Sequence, residues 1–165
     1  MKNCIKIHIP KPIKSISINM SCFAVDIVDL LLGKRDRLIP PCRLRIQVGP
    51  FWNAVYYKAV GEEFFHYFKD LCALKPNEAV LDVGCGYGQM AVPLTMYLVQ
   101  SGGYEGFDIV STMIQWCRKN ISSKYPNFHF RLADVFNKMY NPKGKYKASE
   151  YKFPYGNESF DFVFV

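Results

Sequence analysis

The stretch AVLDVGCGYGQMAVPL, residues 79–94, sets Gly84, Gly86 and Gly88 behind Asp82 and between two apolar runs. An apolar strand that turns through such glycines into a helix exposes backbone N–H groups at the carboxyl edge of a sheet, where a ligand can come close. A dinucleotide fingerprint of the form G-x-G-x-x-G needs its third glycine at position 89, but the chain has Gln89 there and Gly88 one position early. A pyrophosphate would also meet the Asp82 carboxylate just before the turn, whereas an ammonium group would be attracted to it. The ligand is therefore expected to be partly cationic, and a nicotinamide-dependent oxidoreductase is the weaker reading.

The elements that must position this turn are legible in the hydrophobic periodicity. AVLDV (79–83) reads as a buried strand and residues 88–99 as the helix after it, with Pro93 tolerable near the helix start. YEGFDIV (104–110) reads as a second strand, STMIQWCRKNISSKY (111–125) as a second helix, NFHFRLADV (127–135) as a third strand and SFDFVFV (159–165) as a fourth. Short apolar strands alternating with helices imply a parallel α/β sheet. Upstream, residues 1–20 around Pro10 and Pro12 are expected to form a basic extended arm, and residues 21–74 a helical lead-in. In that lead-in Phe64, Phe65, Phe68, Leu71 and Cys72 recur at helical spacing, with Glu62 and Glu63 read as the first turn after Gly61.

VLDVGCGYG resembles the first motif of the class I S-adenosylmethionine-dependent methyltransferases. Asp108, ending YEGFDIV, stands where that family carries the acidic residue for the ribose hydroxyls. LADV (132–135) resembles its segment near the adenine, and FPYGNESFDFVFV is similar to the segment that leads into the fourth strand. The four elements occur in the family's order across roughly residues 73–165. The resemblance implies an incomplete Rossmann-like sheet of four strands at 75–165, with S-adenosyl-L-methionine as cofactor and transfer of its methyl group to an acceptor. A complete family domain has seven strands, and the loop after the fourth lines the transferring methyl. The chain ends at Val165, so residues 1–165 alone are expected to be weakly active or inactive, and no catalytic residue is assigned.

On the same resemblance, Gly84 and Gly86 would let the backbone approach the methionyl portion, and the N–H groups of Gly84, Cys85, Gly86, Tyr87 and Gly88 would receive its carboxylate. Asp82 would face the ammonium group. Asp108 would accept from both ribose hydroxyls, Ile109 and Val135 would flank the adenine, and Asp134 would accept from its exocyclic amine. Taken alone, Asp108 is a strand-end carboxylate of the kind that often only caps a helix, and Asp134 in DVFN could start one. Asp161 is read as structural and left out of the site.

Composition bounds the rest. With 165 residues, half of them hydrophobic and a fifth charged, the chain suits one core. It holds no run of about 18 apolar residues and no secretory signal pattern, so a cytoplasmic protein without a membrane partner is expected. Cys4, Cys22, Cys42, Cys72, Cys85 and Cys117 form no CxxC pair, and His8, His66 and His129 lie near none of them in ligand spacing, so reduced thiols and no metal are expected. The net charge of +7 gathers in residues 1–50 and in NKMYNPKGKYKASEYK (137–152). Nucleic acid is therefore permitted as a partner but not required, and a small-molecule acceptor is preferred. A non-catalytic cofactor- or RNA-binding module is the competing reading.

Overall fold

The computed structural model describes residues 11–34 and 36–165. Four strands, β1 (Ala79–Val83), β2 (Gly103–Asp108), β3 (Phe128–Leu132) and β4 (Phe162–Phe164), form one sheet in the order β3-β2-β1-β4. All three pairings are parallel, so the glycine turn after β1 and Asp108 at the end of β2 emerge at the same edge. This is the α/β architecture that the alternation of strands and helices implies.

Alternation along β1 decides which side each residue serves. Val80 belongs to the larger core with Tyr104, Phe128, Ile114, Cys117 and Ile121. Leu81 faces the opposite side with Phe107 and Ala133, beneath Tyr151, Tyr155 and Phe160 of the long loop after β3. Asp82, two residues from Val80, therefore points into the larger core. Asp161 completes the sheet start: its Oδ2 accepts from Ala79 N at 2.8 Å, which fixes β4 beside β1.

The helices depart from the expected bounds in instructive ways. Helix α1 runs from Lys11 to Leu31, so residues 11–20 are helical and not an extended arm; residues 1–10, with Cys4 and His8, lie outside the described residues. Pro12 is compatible with this because a helix's first turn makes no use of that N–H. The helix ends where Lys34 N donates to Asp29 O and Gly33 takes φ +65°. No helix among the described residues is long and apolar enough to cross a membrane.

After the short α2 (Cys42–Arg45), α3 spans Ala54–Asp70 and is capped by Asn53, whose side chain accepts from Val55 N and Tyr56 N. Glu62 and Glu63 are thus in the middle of α3, not in its first turn. Gly61 interrupts no helix; it permits contact, since a Cβ there would stand 2.6 Å from Gln89 O. The helix expected over 88–99 shrinks to α4 (Ala91–Leu94) between turns, and α5 (Ser111–Cys117) opens into a π-helical turn, Arg118–Ser122.

The third glycine of the turn serves packing. Gly88 has φ +74°, and a Cβ on it would meet Ile121 Cδ1 at 2.7 Å and Cys117 Sγ at 3.4 Å. Gly88→Ala therefore combines left-handed backbone strain with crowding against α5, and a loss of about 1–3 kcal/mol is expected. Urea unfolding with an unchanged slope and a lower midpoint would register it; an unchanged midpoint would show that Ile121 yields freely.

Candidate functional site

The glycine turn separates two clefts at the carboxyl edge of the sheet, and Val48, Gly84 and Gly86 border both. The larger, about 490 Å³, is walled by Asp108, Ile109, Val110 and Met113 on one side and by Gln47 and Tyr140 on the other. The smaller, about 320 Å³, reaches in over Asp82, Cys85 and Gln89 to Tyr57 and Phe64 of α3.

Asp82 is 4% exposed, and Tyr104, wholly buried next to it, donates its hydroxyl to Oδ2. Burial pushes its carboxyl up to about 7; the Tyr104 hydrogen bond opposes this, and the charge of Asp108 adds to the rise. The sign follows from where each state holds its proton. Between about pH 4 and pH 7 only the native state keeps Asp82 protonated, so the stability this group contributes is full at the acid end and lost as pH rises through 7. The stability of the chain relative to its Asp82→Asn variant is accordingly expected to fall from pH 4 to 7 and then level off. A flat difference in urea titrations across that range would mean Asp82 is already ionised in the native state.

Asp108 braces the turn. Its Oδ2 accepts from Gly86 N at 3.0 Å and its Oδ1 from Val110 N at 2.9 Å. The N–H groups of Gly84 and Cys85 donate to Phe107 O, and that of Gly88 donates to Cys85 O. Four of the turn's donors are therefore satisfied within the protein, and α4 begins only at Ala91. The N–H groups expected to be bare are thus engaged, Tyr87 excepted, and the helix expected from Gly88 starts at Ala91.

In its place the structure offers a group that the periodicity of α3 hid. Tyr57 is 1% exposed, borders the smaller cleft with Asp82, and its hydroxyl has no hydrogen-bond partner. A buried hydroxyl without a partner costs about 1–3 kcal/mol. Gln89, the residue that breaks the dinucleotide fingerprint, is committed elsewhere: its Nε2 donates to Tyr57 O at 2.8 Å and so pins the turn to α3.

The sequence profile of the family described as "Methyltransferase domain" matches residues 74–165. The chain belongs to that family. A protein of Invertebrate iridescent virus 6 that bears the name "Putative methyltransferase 235L" is 30% identical over 97 residues, which are 56% of this chain and 34% of that protein. Among solved structures, a SAM-dependent methyltransferase from Aquifex aeolicus is 21% identical with a TM-score of 0.44, over 62% of this chain and 45% of its own. PKMT2 from Rickettsia typhi, solved in complex with AdoHcy, is 30% identical with a TM-score of 0.32, over 36% of this chain and 12% of its own. The chain spans about a third of the length of the viral relative.

Within this methyltransferase domain the residues singled out from sequence divide into two groups. Asp82, Gly84, Cys85, Gly86, Tyr87, Asp108 and Ile109 border the two clefts. Gly88 lies under Ile121, and Asp134 and Val135 lie outside both cleft walls: Asp134 Oδ1 accepts from Asn141 Nδ2 at 3.2 Å, and Val135 packs beneath the long loop. Burial pushes the Cys85 thiol up, and Asp82 adds to the effect, which favours the neutral thiol packed beside the turn.

Tyr87 reaches back to the lead-in, where its hydroxyl donates to Gln47 Oε1 at 2.9 Å. Gln47 and Val48, and Tyr140 from the turn closed by Asn137 and Asn141, were not legible as site residues. No periodicity marks them, and only the fold brings them over the glycines.

Proposed function

We propose that this methyltransferase domain binds S-adenosylmethionine at the glycine turn and transfers its methyl group to a small-molecule acceptor. The observation that carries the reading is the smaller cleft. A buried carboxylate, Asp82, and an unpartnered buried hydroxyl, Tyr57, border one space beside the glycine turn. An amino-acid terminus is complementary to that pair, because its ammonium would neutralise Asp82 and its carboxylate would accept from Tyr57. Across the turn, Asp108 borders the larger cleft with Ile109 and Met113, which supports ribose hydroxyls at its carboxylate and apolar walls beyond them.

S-adenosylmethionine supplies an activated methyl on a sulfonium, so the protein's contribution is alignment and exclusion of water. Phe64, Phe68 and Phe164 give the smaller cleft an aromatic wall, which supports an acceptor with an apolar portion. Asp82 must be ionised to hold an ammonium, so its raised pKa implies that affinity for the amino-acid end grows as pH rises through 7. The buried free thiols Cys22, Cys42, Cys85 and Cys117 support a cytoplasmic setting.

Calorimetry with S-adenosylhomocysteine and, separately, NAD tests the cofactor assignment on the full chain. Saturable heat with the first and none with the second supports it. Binding of NAD alone, or of neither, overturns it.

A further inference from the structure

A third cleft, about 560 Å³, lies between the α1–α2 connection and the π-helical turn, and it shares no residue with the two at the glycine turn. Three cations border it: Arg37 from the connection, Lys119 within the π-helical turn, and Lys124 just after it. None of the three enters an ion pair among the described residues. The acid in the cleft, Asp36, is turned into its own loop, where its Oδ1 accepts from Leu38 N at 2.9 Å. Three like charges from segments distant in sequence thus converge on one concavity with little local compensation, an arrangement that favours an anion between them.

The rest of the wall is apolar and aromatic. Trp116 is half-buried there, held edge-on against Tyr87 with ring centroids 6.1 Å apart, and its carbonyl accepts from Asn120 Nδ2. Leu30, Ile39 and Pro41 complete the surface. Cations beside a held indole suit a ligand that carries a phosphate and a planar ring together.

We propose that this cleft binds a nucleotide, either free or as one residue of a single-stranded RNA, with Arg37, Lys119 and Lys124 on phosphate and Trp116 against the base. The inference is independent of methyl transfer, since it uses neither glycine-turn cleft.

Trp52→Phe leaves Trp116 as the one tryptophan of the two in the chain, so its fluorescence reports on this cleft. Titration with AMP and with an oligouridylate is expected to shift the Trp116 signal saturably. With one phosphate of the strand neutralised by the three cations, RNA affinity should fall roughly two- to threefold between 50 and 200 mM salt. Combining Arg37→Glu, Lys119→Glu and Lys124→Glu should weaken either ligand tenfold or more while leaving S-adenosylhomocysteine binding and the circular dichroism spectrum unchanged. Asp108→Ala should leave the nucleotide titration unchanged. Tighter binding of AMP would place the free nucleotide in the cleft, and tighter binding of the oligomer would place the strand there; each supports the proposal. No saturable change at millimolar ligand, equal affinity in the charge-reversed chain, displacement by an equal concentration of inorganic phosphate, or loss on Asp108→Ala would each overturn it.

Discussion

Arg45→Ala is expected to cost about 3–5 kcal/mol of stability, the range found when one partner of a buried ion pair is removed. Arg45 is 2% exposed and satisfies four acceptors drawn from three segments. Its Nη1 donates to Pro40 O at 2.7 Å, its Nη2 to Trp52 O at 2.8 Å and Asp29 Oδ2 at 3.2 Å, and its Nε to Phe51 O at 3.1 Å. Alanine would leave Asp29 and three carbonyls without their donor in a space that water reaches poorly. The same clamp fixes α2 against α1 and α3, and Gln47 and Val48 follow α2 directly onto the glycine turn. A lower urea midpoint should therefore be accompanied by weaker S-adenosylhomocysteine binding. Asp29→Asn retains an acceptor for Nη2 and is expected to cost less than Arg45→Ala. Equal losses in the two variants would mean that the charge of Asp29, not the set of carbonyls, dominates the clamp; a loss below about 1 kcal/mol in Arg45→Ala would mean that the site is solvated.

The clamp also shows what sequence could and could not reveal. β1 is buried at its three central positions and carries the short apolar run of an interior parallel strand, while β3 alternates buried Phe128 and Phe130 with exposed His129 and Arg131, so the strands and the place of the glycine turn were legible from periodicity, as was Asp108 at the end of β2. The lead-in was not. Pro10 and Pro12 suggest an extended arm, but a proline in the first turn costs a helix no hydrogen bond, and α1 begins at Lys11. Gly61 looks like a helix boundary until the carbonyl of Gln89 is found packed against it. Arg45, Gln47 and Tyr57 carry no spacing signal because their partners are distant in sequence and are chosen by tertiary contact. The helix after the turn is shorter than its apolar spacing implies for a related reason: Ala91–Leu94 packs tightly in the core, and the turns on either side leave it four residues long.

Asp108→Ala should weaken S-adenosylhomocysteine binding by about tenfold or more, the equivalent of losing charge-assisted hydrogen bonds of about 1.5–3 kcal/mol. The side chain also braces Gly86 N and Val110 N, so lost affinity could arise from a relaxed turn rather than from a lost contact. Two comparisons separate the causes. Asp108→Asn keeps one acceptor for the brace but loses the charge and one oxygen; if ribose hydroxyls are held by the carboxylate, it should bind nearly as poorly as Asp108→Ala. A 2′-deoxy analogue of S-adenosylhomocysteine should bind the wild type more weakly than the parent does, yet lose little further on Asp108→Ala, because the interaction would already be absent. That non-additivity measures the contact itself. Full additivity, with Asp108→Asn binding as the wild type does, would assign Asp108 to bracing Gly86 and leave the ribose to be held by another wall of the larger cleft.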